Sequence, residues 1–233
     1  MTFQQRHRRL RETFRPREEW WSRVFATPVA YGILLLVADW RLISPNRLTL
    51  ASFATALAAC FLITMGEEAS LLVAAAAIQV SYVLDCMDGQ LARYRKISSR
   101  FGAFADKWTD YVKFPAILLA LTIDAFHRDP ALTPIVLGLS SVLLVGYLPY
   151  LKLLASSELG IGPWSVLSKP DFASRNLRFF LFEEAQWYLG VSVCLAFQSS
   201  FAALLVIVVS QTAVAIAQTV RILVVLRRSG RPP

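Results

Sequence analysis

The sequence predicts an all-α integral membrane protein, six transmembrane helices preceded by an amino-terminal interfacial amphipathic helix. Three observations lead there. Apolar residues make up 56% of the 233 positions, with a mean hydropathy of +0.50, above the roughly 45–50% apolar content of soluble domains. The excess is gathered into runs that approach or exceed the roughly 20 residues a helix needs to cross a bilayer. Basic residues fall on alternate connections between those runs, as cytoplasmic loops do. The expected organisation is a basic segment with its interfacial helix (1–43), a six-helix membrane domain (44–226) and a basic cytoplasmic tail (227–233).

Residues 1–23 carry arginines at 6, 8, 9, 11, 15, 17 and 23 and end on Trp20 and Trp21. Arginine suits an anionic cytoplasmic surface and tryptophan the headgroup level; residues 1–12 read equally well as a solvated tail. The next stretch, 24–43, is apolar to Ala38 but contains Pro28, Gly32, Asp39 and Arg41. Its uncharged part is short for a span, so it is expected to lie along the membrane. If it crossed, the arginine-rich start and the basic 93–100 loop would face opposite sides.

Six runs follow, at 46–65, 70–93, 103–126, 131–154, 177–197 and 200–225. With the amino terminus inside, Arg93, Arg95, Lys96 and Arg100, then Lys152, Lys169, Arg175 and Arg178, then Arg227, Arg228 and Arg231 all lie on the inner side. The outer connections hold Glu67, Glu68, Asp124, Arg128 and Asp129. Both termini are therefore expected in the cytoplasm, and the membrane is expected to be the inner, plasma membrane. Residues 152–176 contain Gly160, Gly162, Pro163 and Pro170 and read as a structured loop. The net charge of +8 is assigned to inner loops and anionic headgroups, not to nucleic acid. Cys60, Cys86 and Cys194 form no CxxC pair, and His7 and His127 are the only histidines, so neither a zinc site nor histidine catalysis is suggested.

The segment that organises the rest is 85–110, DCMDGQLARYRKISSRFGAFADKWTD. Asp85 and Asp88 are three apart and Asp106 and Asp110 four apart, so each pair shares a helix face. A short basic turn joins the two helices and brings the pairs together. Carboxylates at membrane depth mark a functional site by default. Four converging negative charges need cations, and the simplest neutral arrangement is a pair of divalent ions. An oxygen-only ligand set points to Mg²⁺ or Mn²⁺.

Written as DxxDGxxARx8Gx3Dx3D, the pattern is filled by Asp85, Asp88, Gly89, Ala92, Arg93, Gly102, Asp106 and Asp110. This resembles the signature of the CDP-alcohol phosphotransferases, membrane enzymes that move a phospho-alcohol from a CDP-alcohol to a second alcohol and release CMP. The resemblance implies that Asp85, Asp88, Asp106 and Asp110 bind two metal ions, Asp85 and Asp106 being shared by both, and that Asp110 is the general base. It implies a donor site at Asp88, Gly89, Ala92, Arg93 and Gly102, with Asn46 and Thr49 close by, because Pro45-Asn46-Arg47-Leu48-Thr49 is similar to the start of the family's first membrane helix. Other readings stand beside these: a plain helix cap at Ser44 or Asn46, helix packing at the small residues, and interface anchoring for Arg93.

Lys113 lies three residues past Asp110, on the same face but deeper, and either pairs with a carboxylate or binds an anionic acceptor. Arg175, Arg178 and Arg221 pose the same choice between acceptor binding and anchoring. CDP-diacylglycerol is the donor placed first, for phospholipid synthesis. A soluble CDP-alcohol is the alternative within the same chemistry, and a membrane cation transporter the alternative outside it. The resemblance leaves the acceptor alcohol open and allows a homodimer among membrane lipids.

Overall fold

The computed structural model describes residues 3–14, 19–97, 99–158, 160 and 184–229. Among the described residues the regular structure is helices α1 (Phe3–Arg11), α2 (Thr27–Val37), α3 (Pro45–Met65), α4 (Glu68–Arg95), α5 (Arg100–Arg128), α6 (Leu132–Ser157), α7 (Glu184–Ala196) and α8 (Ser200–Ser229), with a π-helical turn at Ser22–Ala26 leading into α2. There is no strand among the described residues.

Four of the expected spans have the length and apolar composition to cross a membrane: α3, α4, α6 and residues 200–227 of α8. Helix α5, with 29 residues, is about 43 Å long at 1.5 Å per residue, but its charged side chains leave it outside that set. The expected span 177–197 is described only from residue 184, and Ser22–Val37 is a shorter apolar helix. Helix α6 runs to Ser157, three residues past the expected end of its run at 154, so the connection read from 152 begins as helix. Large apolar side chains such as Leu50, Phe61, Leu143 and Leu223 are exposed on the helices that a bilayer would cover.

Short connections make sequence neighbours antiparallel. Ser44 caps α3, its side chain accepting from Arg47 N. Gly66 ends α3 with φ +71°, and a Cβ there would meet Asp124 Oδ1 at 3.0 Å. Asp124, nearly fully buried, holds that end together. Arg128 Nε donates to both its oxygens at 3.1 Å, Ser200 Oγ to Oδ2 at 2.6 Å, and Arg128 Nη2 to Gly66 O at 2.5 Å. The α3–α4 turn, the end of α5 and the start of α8 are tied at one point.

Helix α4 is central, packed on α2, α3 and α7. Ser52 and Ser81 each donate to the other's carbonyl at 2.9 Å, so small residues let α3 and α4 approach closely. Gln79 joins three segments, accepting from Trp21 Nε1 (3.1 Å) and donating to Tyr188 O (3.0 Å) and Ser192 Oγ (2.9 Å). Where α5 meets α6, Gly138 leaves no room. A Cβ there would lie 2.1 Å from Thr122 Oγ1, whereas one at Gly146 would meet nothing within 4 Å. Gly138→Ala is therefore expected to lower stability by about 1–3 kcal/mol through overpacking. Gly146→Ala is the neutral control, and thermal unfolding in detergent compares the two.

The amino-terminal segment, open between an interfacial and a solvated reading, is a helix docked on the bundle. Arg6 pairs with Asp39 at 2.7 Å and donates to Leu35 O at 2.7 Å. Tyr94 OH donates to Asp39 Oδ1 at 2.8 Å. The Tyr94 hydroxyl, then Arg6, hold the Asp39 carboxyl below its usual range against the desolvation that pushes it up. Arg95 reaches Ala38 O and Trp40 O. Asp39, which counted in the sequence only as an interruption of an apolar run, is the anchor for α1 and the end of α4.

Candidate active site

Helices α4 and α5, joined through residues 96–99, both pack on α3. Lys96 leaves α4 in the left-handed conformation (φ 55°), and Ser99 opens α5, its side chain accepting from Gly102 N at 2.9 Å. With both helices held on α3, carboxylates of α4 and α5 face each other. One oxygen each from Asp85, Asp88 and Asp106 lies within 4.8 Å of the other two, the one such acidic group among the described residues. Asp88 is buried, 6% exposed; Asp85 and Asp106 are half-buried.

Asp110 is not part of this convergence. It is tied to it through Lys113, whose Nζ lies 2.7 Å from Asp85 Oδ1 and 2.7 Å from Asp110 Oδ1. Lys113 is fully buried, with its ammonium 5.9 Å from the Phe114 ring centroid and 6.0 Å from that of Tyr188. Of its two sequence readings, pairing with a carboxylate is the one seen, and it is doubled.

Thr49 reaches the site from α3, donating to Asp88 Oδ2 at 2.5 Å; its hydroxyl also lies 3.2 Å from Pro45 O. Asn46 faces the start of α5. A Cβ on Gly102 would lie 3.7 Å from Asn46 Oδ1 and 3.2 Å from Ser99 Oγ, so Gly102 serves the tight entry to α5. A Cβ on Gly89 would meet Arg93 Nη1 at 3.2 Å. Arg93 folds back over that glycine and donates from Nε to Thr13 O at 2.9 Å, joining α4 to the amino-terminal segment. Ala92 is half-buried one turn beyond Asp88. Arg221 is half-buried in α8, its Nη1 3.2 Å from Gln218 Oε1. Arg175 and Arg178 lie outside the described residues.

The arrangement offers hard oxygen donors only, which suits a small divalent cation such as Mg²⁺ or Mn²⁺. Asp85, Asp88 and Asp106 fit one ion by proximity and donor type. The space between Asp85 and Asp110, where a second would share ligands, holds the Lys113 ammonium. Three features escaped the sequence reading. Ser99 caps α5, and a serine at a helix start is a recognisable cap signal. The Arg93–Thr13 contact had no sequence signal. Asp124 read as an exterior connection residue, and its Arg128 partner at i+4 was the available hint of a structural pair.

Comparison with known proteins agrees with the geometry. The CDP-alcohol phosphatidyltransferase family description matches residues 42–161, more than half of the chain, and the match contains α3, α4, α5 and every carboxylate of the site. No individual curated protein matches. The family is one of transferases that use CDP-alcohols, with divalent metal use known among its members. On that match and on the eight signature positions, the chain belongs to the CDP-alcohol phosphatidyltransferase family.

Proposed function

We propose that this chain is a membrane phosphotransferase that moves a substituted phosphate from a CDP-linked donor to an alcohol and releases CMP. The donor placed first is CDP-diacylglycerol, which would make the reaction a step of phospholipid synthesis. The single observation that carries this reading is the convergence of Asp85, Asp88 and Asp106 within 4.8 Å at the family's signature positions.

Asp85, Asp88 and Asp106 are the residues that would hold a divalent cation. When bound, such an ion neutralises the donor's diphosphate and stabilises the departing CMP oxygen. Thr49 fixes Asp88 from the neighbouring helix, the kind of support that orients a ligand carboxylate. Asn46 and Gly102 form the adjoining wall, where the donor's nucleotide end is assigned. Asp110 is the carboxylate left out of the convergence, and is assigned the proton of the acceptor hydroxyl. In the transfer, the bond from phosphorus to the acceptor oxygen forms, the bond from phosphorus to the CMP oxygen breaks, and the acceptor proton passes to Asp110. Lys113 is engaged by two carboxylates, so acceptor contacts are assigned to Arg175, Arg178 and Arg221.

Arg6, Arg93 and Arg95 gather at the same end of the bundle as the carboxylates, which supports a cytoplasmic site by the positive-inside rule. A buried ammonium between two of the acids speaks against a cation-conducting path through them.

Thr49→Val is expected to weaken metal-dependent turnover by roughly 10–100-fold, the usual cost of losing an outer-shell partner. A Mg²⁺ titration of the rate tests this. The reading as a whole is tested by incubating purified protein with labelled CDP-diacylglycerol or a soluble CDP-alcohol and a panel of alcohols, with Mg²⁺ or with chelator. Mg²⁺-dependent CMP release that requires an alcohol supports it, and the donor that works separates the two versions. Release indifferent to chelation, or absent with every pairing, refutes it.

A further inference from the structure

We infer that the Lys113 ammonium occupies the place of a second cation, so that this site takes one divalent ion per chain and not the pair its four carboxylates suggest. The inference rests on the metal reading above and adds to it how the acids are divided.

The geometry separates them into two overlapping sets. Asp85, Asp88 and Asp106 converge on one point. Asp85 and Asp110 converge on another, and there Lys113 Nζ already stands 2.7 Å from an oxygen of each. Asp85 thus bridges the two positions, as a shared ligand would bridge two ions, but one position is filled by the chain itself. A divalent ion bound to the same Asp85 and Asp110 oxygens would have to stand against that ammonium, and like charges so close repel strongly in a buried site.

Lys113 has no cheap way out. It is fully buried, so no water-exposed position is open to its head without a rearrangement of α5 and its neighbours. Its ammonium also faces the rings of Phe114 and Tyr188 at 5.9 and 6.0 Å, within the range where an aromatic face attracts a cation. Drawn away from Asp85 and Asp110 it would be an uncompensated buried charge, which proteins avoid. Lys113 is then a positioning residue that holds Asp110 beside the metal position.

The test uses the full chain in non-ionic detergent with Mn²⁺ as the only probe. Equilibrium dialysis gives the number of ions, and electron paramagnetic resonance shows whether two are close. Wild type is expected to bind one Mn²⁺, with the six-line spectrum of an isolated ion, and Asp88→Asn to lose it. Lys113→Met, which keeps most of the unbranched side chain and removes the charge, is expected to bind two, with the broadening of a pair about 4 Å apart. Lys113→Arg is expected to stay at one. Two coupled ions in wild type, or one in a folded Lys113→Met, would overturn the inference. If Lys113→Met does not fold, the wild-type count decides alone. No Mn²⁺ bound to wild type is a different result, which removes the metal reading along with what is built on it.

Discussion

Asp88→Asn is expected to abolish metal-dependent CMP release, lowering turnover by about 10³-fold. Of the three converging carboxylates Asp88 is the most buried, and its Oδ2 is held by Thr49. An amide preserves the shape and an acceptor for Thr49 while removing the charge, so the fold should survive. A metal clamp on a reacting phosphoryl group supplies several kcal/mol of charge stabilisation, and each 1.36 kcal/mol is a factor of ten in rate. The check is a kinetic comparison at saturating Mg²⁺ beside the variant's unfolding temperature. A stable Asp88→Asn with wild-type turnover would remove Asp88 from the ligand set.

Asp110→Asn is expected to reduce kcat by roughly 10²–10⁴-fold, the range for loss of a general base, while nucleotide affinity stays near that of wild type. The difference from Asp88 follows from position. Asp110 lies outside the three-carboxylate convergence, and Lys113 would still have Asp85 as partner at 2.7 Å, so neither the metal position nor the buried ammonium is left uncompensated. Calorimetric titration with CDP, set beside single-turnover rates, separates the two effects. A parallel loss of CDP binding would show that Asp110 belongs with the ligands and not with the proton transfer.

The sequence made the faces of the site legible and left the contacts across faces hidden. Spacings of three and four place Asp85 with Asp88 and Asp106 with Asp110, because helical periodicity is a local property. That same periodicity puts Lys113 on the Asp110 face. Its second partner, Asp85, depends on how α4 and α5 are each set on α3, against which both pack, and helix periodicity carries no trace of that. Thr49 and Asp88 are separated by 39 positions, and only the close Ser52–Ser81 packing of α3 on α4 brings them together. Arg93 shows the reverse case. Its place in the motif suggests phosphate, yet its Nε donates to Thr13 O because α1 docks onto the end of α4, a tertiary event without a sequence pattern. The apolar runs gave helix positions to within a few residues, from α3 to α6 and at α8. Crossing is less legible for α5, where the residues that make the site also lower its hydropathy.

Everything proposed for this chain depends on Asp85, Asp88 and Asp106 gripping a divalent ion that in turn grips a nucleotide diphosphate. Anomalous diffraction from crystals grown with Mn²⁺ and CDP reads this out. A manganese peak is expected about 2.1 Å from carboxylate oxygens of all three residues, with the CDP diphosphate on its open side. Manganese on the diphosphate without these carboxylates, or CDP bound at the site with no manganese beside it, would rule the proposed site out.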